Sequence, residues 1–114
     1  MERNIKSNLI FDLGFNTLSF NNKKYLQNGY KIIAVEADPN LCSKVNPGID
    51  GLTLLNKCIW SETDKTIPFY LSKTWDVWNS IFKDISERIE DNSTEIQVET
   101  ITLADLIKEY GTPI

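Results

Sequence analysis

The apolar residues of this chain fall first into short unbroken runs and later into alternation. Leu9-Ile10-Phe11 leads into Asp12-Leu13 and predicts a strand over 9–13; Ile32-Ile33-Ala34-Val35 predicts a second over 31–36. Runs without polar interruption suit parallel strands covered on both faces. Between them, Asn16 or Thr17 offers a cap for a helix over about 19–28, and Gly29 stands where a left-handed residue closes a helix. That helix carries only a weak apolar stripe, drawn from Leu18, Tyr25 and Leu26. Asp38-Pro39 predicts another helix, Asp38 as cap and Pro39 at the first helical position, ending near Val45 before Asn46-Pro47-Gly48. Leu52 to Lys57 predicts a third strand that continues through Ile59 and Trp60. The order βαβαβ is the half-unit of a doubly wound sheet.

Past Trp60 the pattern changes. Ser61 to Lys65 reads as a turn, and Thr66 to Leu71 as a short strand that Pro68 confines to a sheet edge. Trp75 to Phe82 is aromatic without a clear period, and Lys83 to Thr94 reads as a short charged helix and a loop. Glu95 to Thr100 alternates polar residues with Ile96 and Val98, as a half-exposed antiparallel strand does. Thr102 and Asp105 resemble a capping box opening a helix through Tyr110, ended by Gly111 and Pro113.

Composition narrows the function classes. The chain has 114 residues, enough for one domain; 41% are hydrophobic and 25% charged, ordinary for a globular protein. A net charge of −4 gives no cationic excess to hold nucleic acid or an anionic membrane. No apolar stretch approaches the roughly eighteen residues of a membrane span, and the N-terminus does not read as a signal peptide, so a cytoplasmic location is expected. Histidine is absent, which removes the commonest general base and metal ligand; no metal site is expected. Cys42 and Cys58 read as small apolar residues in a reducing compartment. Trp60, Trp75 and Trp78 read as packing residues sooner than as a recognition surface. Asn92-Ser93-Thr94 fits a glycosylation sequon, but no secretion signal accompanies it.

The candidate chemistry lies where the first two strands end. Asp12-Leu13-Gly14 closes the first and Glu36 the second. In adjacent parallel strands a glycine bend lets the backbone approach a ligand, and an acid about twenty positions on can accept hydrogen bonds from both hydroxyls of a ribose. Taken alone, the pair suits several nucleotide-type cofactors, NAD among them, although Gly14 to Ser19 lacks the G-x-G-x-x-G pattern.

The ordered set of motifs resembles the amino-terminal part of the FkbM-type methyltransferases, which use S-adenosyl-L-methionine. Phe11-Asp12-Leu13-Gly14-Phe15-Asn16 is similar to that family's Asp-x-Gly-x-Asn-x-Gly loop, with Leu18 in place of its last glycine. Val35-Glu36-Ala37-Asp38-Pro39 is similar to the Phe-Glu-Pro ending of its second strand, and Leu54 to Ile59 to its Asn-x-Ala exit from strand three. Ile67 to Tyr70, Asn79-Ser80-Ile81 and Val98 to Ile107 follow its later spacing. The resemblance implies an α/β fold: a partial doubly wound, Rossmann-like class I methyltransferase sheet with added antiparallel edge strands, in a single and incomplete domain over 1–114. It implies that Asp12, Gly14 and Asn16 lie along the amino-acid part of the cofactor, that Glu36 binds the ribose hydroxyls, that Ala37 lies near the adenine and that Asn56 reaches the adenine edge. The methyl acceptor implied is an oxygen of a small molecule or a glycan. The family's Asp-x-Glu-Gly strand and acceptor-binding region do not follow Ile114, so no catalytic residue is assigned, and an open, apolar edge on the first strand, suited to self-association, is expected. A non-catalytic module that pairs with another chain through that edge, and an NAD- or nucleotide-binding protein, are the alternatives.

Overall fold

The computed structural model describes residues 7–16, 18–72 and 93–114. Thr17, Trp75, Trp78, Asn79-Ser80-Ile81 and the helix expected after Lys83 lie outside them. The described elements are β1 (Leu9–Leu13), α1 (Phe20–Gln27), β2 (Lys31–Val35), α2 (Pro39–Ser43), β3 (Leu52–Leu55), β4 (Cys58–Ile59), β5 (Thr66–Ser72), β6 (Ser93–Ile101) and α3 (Leu103–Tyr110). The fold is α/β, and among the described residues there are two three-stranded sheets, ordered β1-β2-β3 and β4-β6-β5.

The first sheet is parallel throughout: Leu9 pairs with Lys31 through to Leu13 with Val35, and Ile32 with Leu52 through to Val35 with Leu55. Side chains alternate between its faces. Ile32 and Ala34 point to one face and pack with Phe15, Leu18, Leu26 and Val45. Ile33 and Val35 point to the other and pack with Leu9, Ile101 and Leu106. Covered on both sides, β2 must be apolar at every inner position, which accounts for its unbroken run.

The second sheet is mixed. Cys58 and Ile59 pair in parallel with Thr100 and Ile101, while Thr66 to Ser72 run antiparallel to β6. The antiparallel alternation expected for 95–100 is present: Val98 and Thr100 are buried, Glu95, Gln97 and Glu99 exposed. The parallel pairing to β4 makes β6 the central strand. Phe69 and Val98 pack against Ala37, which seats this sheet over the end of β2.

Strand β6 opens at Ser93, two residues earlier than expected, and three other boundaries also depart from expectation. The third strand stops at Leu55: its carbonyl accepts the Glu36 N–H (3.0 Å), Asn56 and Lys57 break the line, and Cys58–Ile59 join the other sheet. The cap of α1 is Ser19, whose Oγ accepts the Asn22 N–H (3.1 Å), because Asn16 is left-handed (φ 61°) and has its N–H engaged elsewhere. Helix α2 is a short segment ending at Ser43 rather than near Val45. The α3 cap forms as expected, the Thr102 Oγ1 accepting the Asp105 N–H (3.0 Å). Its reciprocal half runs through Thr63, whose hydroxyl donates to Asp105 Oδ2 and accepts the Thr102 N–H. At the outer side of β1 the Ile114 N–H donates to the Leu9 carbonyl (3.1 Å), so that edge is partnered at its amino end.

Candidate functional site

The carboxyl ends of β1 and β2 lie side by side. The N–H groups of Gly14 (2.9 Å) and Phe15 (3.1 Å) both donate to the Val35 carbonyl, folding the chain tightly over the end of β2. That turn requires a left-handed residue, and Gly14 supplies it at φ 76°; a Cβ there would meet nothing within 4 Å. Glycine is thus demanded by the backbone, and the space above it is open. Phe15 plugs the turn into the core beside Ile32 and Ala34.

Glu36 follows directly. Its side chain turns inward, leaving the residue 8% exposed, and accepts two backbone hydrogen bonds: Oε1 from the Asn16 N–H and Oε2 from the Asp38 N–H, both 2.8 Å. One carboxylate therefore ties the β1 exit to the β2 exit. A carboxylate offers about four acceptor positions, and these two bonds use half of them.

Behind this pair sit two asparagines. Asn22 is 6% exposed on α1 and donates from Nδ2 to Asp12 Oδ2 (2.6 Å), fixing the carboxylate at the end of β1. Asn56 donates from Nδ2 to the carbonyls of Glu36 (2.9 Å) and Ala37 (3.0 Å). The Cys42 thiol lies 3.5 Å from the same Glu36 carbonyl.

A cavity of about 380 Å³ opens over the shared rim. Gly14, Asn16, Val35, Glu36, Ala37 and Leu41 form one wall; Lys57, just before β4, and Cys58, Ile59 and Phe69 from the second sheet form the other. Of the residues expected at the site, Gly14, Asn16, Glu36 and Ala37 line this cavity. Asp12 lies beneath it with Asn22, and Asn56 faces a neighbouring cavity beside Cys42 and Val45. Leu18, which stands in place of the last glycine of the resembled loop pattern, packs against the core and is not among the residues lining the cavity.

The chemical character of the cavity is one anionic, hydrogen-bonding corner in a largely apolar enclosure. Burial first, and the Glu36 charge second, raise the Cys58 thiol above its ordinary pKa, so it presents an uncharged surface. Lys57 pairs loosely with Glu99 at 3.7 Å on the rim, a contact of small energetic weight.

Asn22, Phe15 and the wall of Cys58, Ile59 and Phe69 were not legible as site residues. Asn22 leaves a trace, since the weak apolar stripe of α1 reflects a buried polar residue on its inner face. Phe69 leaves none, because its place depends on a sheet that only long-range pairing creates. Comparison with family models, with curated proteins and with solved structures finds no match.

Proposed function

We propose that this chain is the cofactor-binding half of an S-adenosyl-L-methionine-dependent methyltransferase of FkbM type, with β1-β2-β3 as part of a class I sheet. The supporting observation is that the Gly14 bend and the Glu36 carboxylate meet at one cavity and are joined through the Asn16 N–H. When bound, the cofactor supplies an electrophilic methyl group on a sulfonium, which needs in-line placement and exclusion of water more than a strong acid or base. The residues here suit that task. Glu36 keeps acceptor positions for two ribose hydroxyls, Ala37 and the apolar far wall accommodate a flat base, and open backbone at Gly14 admits the amino-acid part. Asp12, held by Asn22, is the carboxylate on the side of its ammonium group. By the family resemblance the acceptor is an oxygen of a small molecule or glycan.

A pyrophosphate-bearing cofactor fits less well. It would need free N–H groups at the start of α1, where Ser19 already satisfies the Asn22 N–H and no second glycine follows Gly14 before the helix.

Calorimetric titration with S-adenosylhomocysteine tests the reading. Binding is expected, and Glu36→Ala should weaken it at least about a hundredfold, the effect of losing charged hydrogen bonds to two hydroxyls. No heat with the wild-type chain, or tighter binding of NAD, overturns the proposal.

A further inference from the structure

Asn56 has a place in the site that its position outside the ligand cavity conceals. Its Nδ2 stands within 3.0 Å of two carbonyl oxygens, those of Glu36 and Ala37. Only the amide nitrogen can face two acceptors, so the orientation of the group is fixed by its partners. Both of its N–H bonds are committed to the backbone, which leaves Nδ2 nothing to donate to a ligand. One closes on Glu36 and the other on Ala37, both of which line the cavity.

Glu36 is held from three directions. Its carboxylate accepts from Asn16 and Asp38, its N–H donates to the Leu55 carbonyl, and its carbonyl is taken by Asn56 with the Cys42 thiol alongside. The carboxylate contacts come from the β1 loop and the α2 cap, and the N–H contact from Leu55 at the end of β3. Asn56, the next residue along, differs in what it holds: it clamps the peptide groups on both sides of the Ala37 Cα. Without that clamp, the end of β2 can rotate about Ala37, and the carboxylate keeps its burial cost while losing its aim.

We infer that Asn56 is a positioning residue that sets the preference of the cavity for a ribose diol by holding the Glu36–Ala37 backbone. The inference rests on the proposed cofactor site for its ligand, and on the hydrogen bonds alone for its mechanism.

The test uses S-adenosylhomocysteine and its 2′-deoxy counterpart as calorimetric probes, with amide NMR of the ligand-free chain. Asn56→Ala is expected to weaken S-adenosylhomocysteine roughly tenfold, the scale of one or two lost hydrogen bonds, and the 2′-deoxy probe much less. In a Glu36→Gln background the same change should have an effect of under about twofold, because the two residues act as one unit. Equal weakening of both probes, or full multiplication of the two effects, overturns the inference. In the ligand-free chain, Asn56→Ala and the milder Asn56→Ser should shift the Asn16 amide signal, which reports the carboxylate from outside the clamped peptides; an unmoved signal in a folded variant overturns it. Should the wild-type chain bind neither probe, the proposed function fails, and the Asn16 amide signal still decides whether Asn56 aims Glu36.

Discussion

Strands β1 and β2 are neighbours that end side by side, yet their exits are constructed in opposite ways. The exit of β1 is a bend of two left-handed residues, Gly14 and Asn16, with open space above the glycine. The exit of β2 is immobilised: Glu36, Ala37 and Asp38 are all buried and bound through carboxylate, N–H and carbonyl. One side of the rim makes room and the other supplies a fixed acceptor. A ligand site needs both, since an acceptor without space is a structural hydrogen bond and space without an acceptor has no selectivity.

The difference extends down the strands and can be broken first by truncation. Ile32 in β2 is fully buried, whereas Leu13 at the end of β1 is 43% exposed. Ile32→Ala should cost about 2–5 kcal/mol of stability, the range for deleting a large buried side chain. Leu13→Ala should cost under about 1 kcal/mol. Urea denaturation of the two variants measures both; equal losses would mean that the two strands are not unequally anchored.

The next largest effect isolates the link between the exits. Glu36→Gln keeps the size of the side chain but turns an NH₂ toward one of the two backbone N–H groups, leaving a buried donor unpaired. A loss of about 1–3 kcal/mol is expected without any ligand. A variant as stable as the wild type would show that the carboxylate does not tie β1 to β2.

A smaller effect belongs to the open side. Gly14→Ala meets no atom, so its cost is that of a left-handed backbone alone, about 1–2 kcal/mol. A much larger loss in thermal unfolding would show that the space above Gly14 is filled. S-adenosylhomocysteine affinity should fall further than stability does, because the new methyl group projects where the ligand's backbone-contacting portion would lie.

The same contrast explains what the sequence discloses. The β2 run is legible because two covered faces demand an apolar residue at every position from Ile32 to Val35, and Gly14 and Glu36 are legible because their chemistry sits at strand ends. The break after Leu55 is not, since Leu52-Thr53-Leu54-Leu55 and Cys58-Ile59 look like one run; Asn56 interrupts it only by reaching carbonyls some twenty residues earlier. The far wall of the cavity is illegible for the same reason. Phe69 reaches the site because β5 pairs with β6, and Phe69 lies opposite Ile96, far along the chain. Local pattern reports local constraint, and this site is half local.

Cys42 sharpens the comparison with the smallest expected effect. It lies against the locked exit, and burial, then the charges of Glu36 and Asp38, push its thiol up from 9.0 to about 11. A proton is therefore held more firmly in the folded chain than in the unfolded one. The resulting stabilisation is complete below pH 9 and is lost as pH rises from about 9 to 11, because over that window unfolding releases the proton. The thiol is partly exposed to solvent, so the fall in the urea midpoint should be slight. Iodoacetamide reports the same shift more directly. Labelling of Cys42 should stay slow at pH 9 and reach half its limiting rate near pH 11, and Glu36→Gln should lower that midpoint by removing one nearby negative charge. A midpoint near 9 in the wild-type chain would mean that the end of β2 is open to water, and with it that the fixed half of the rim is not fixed.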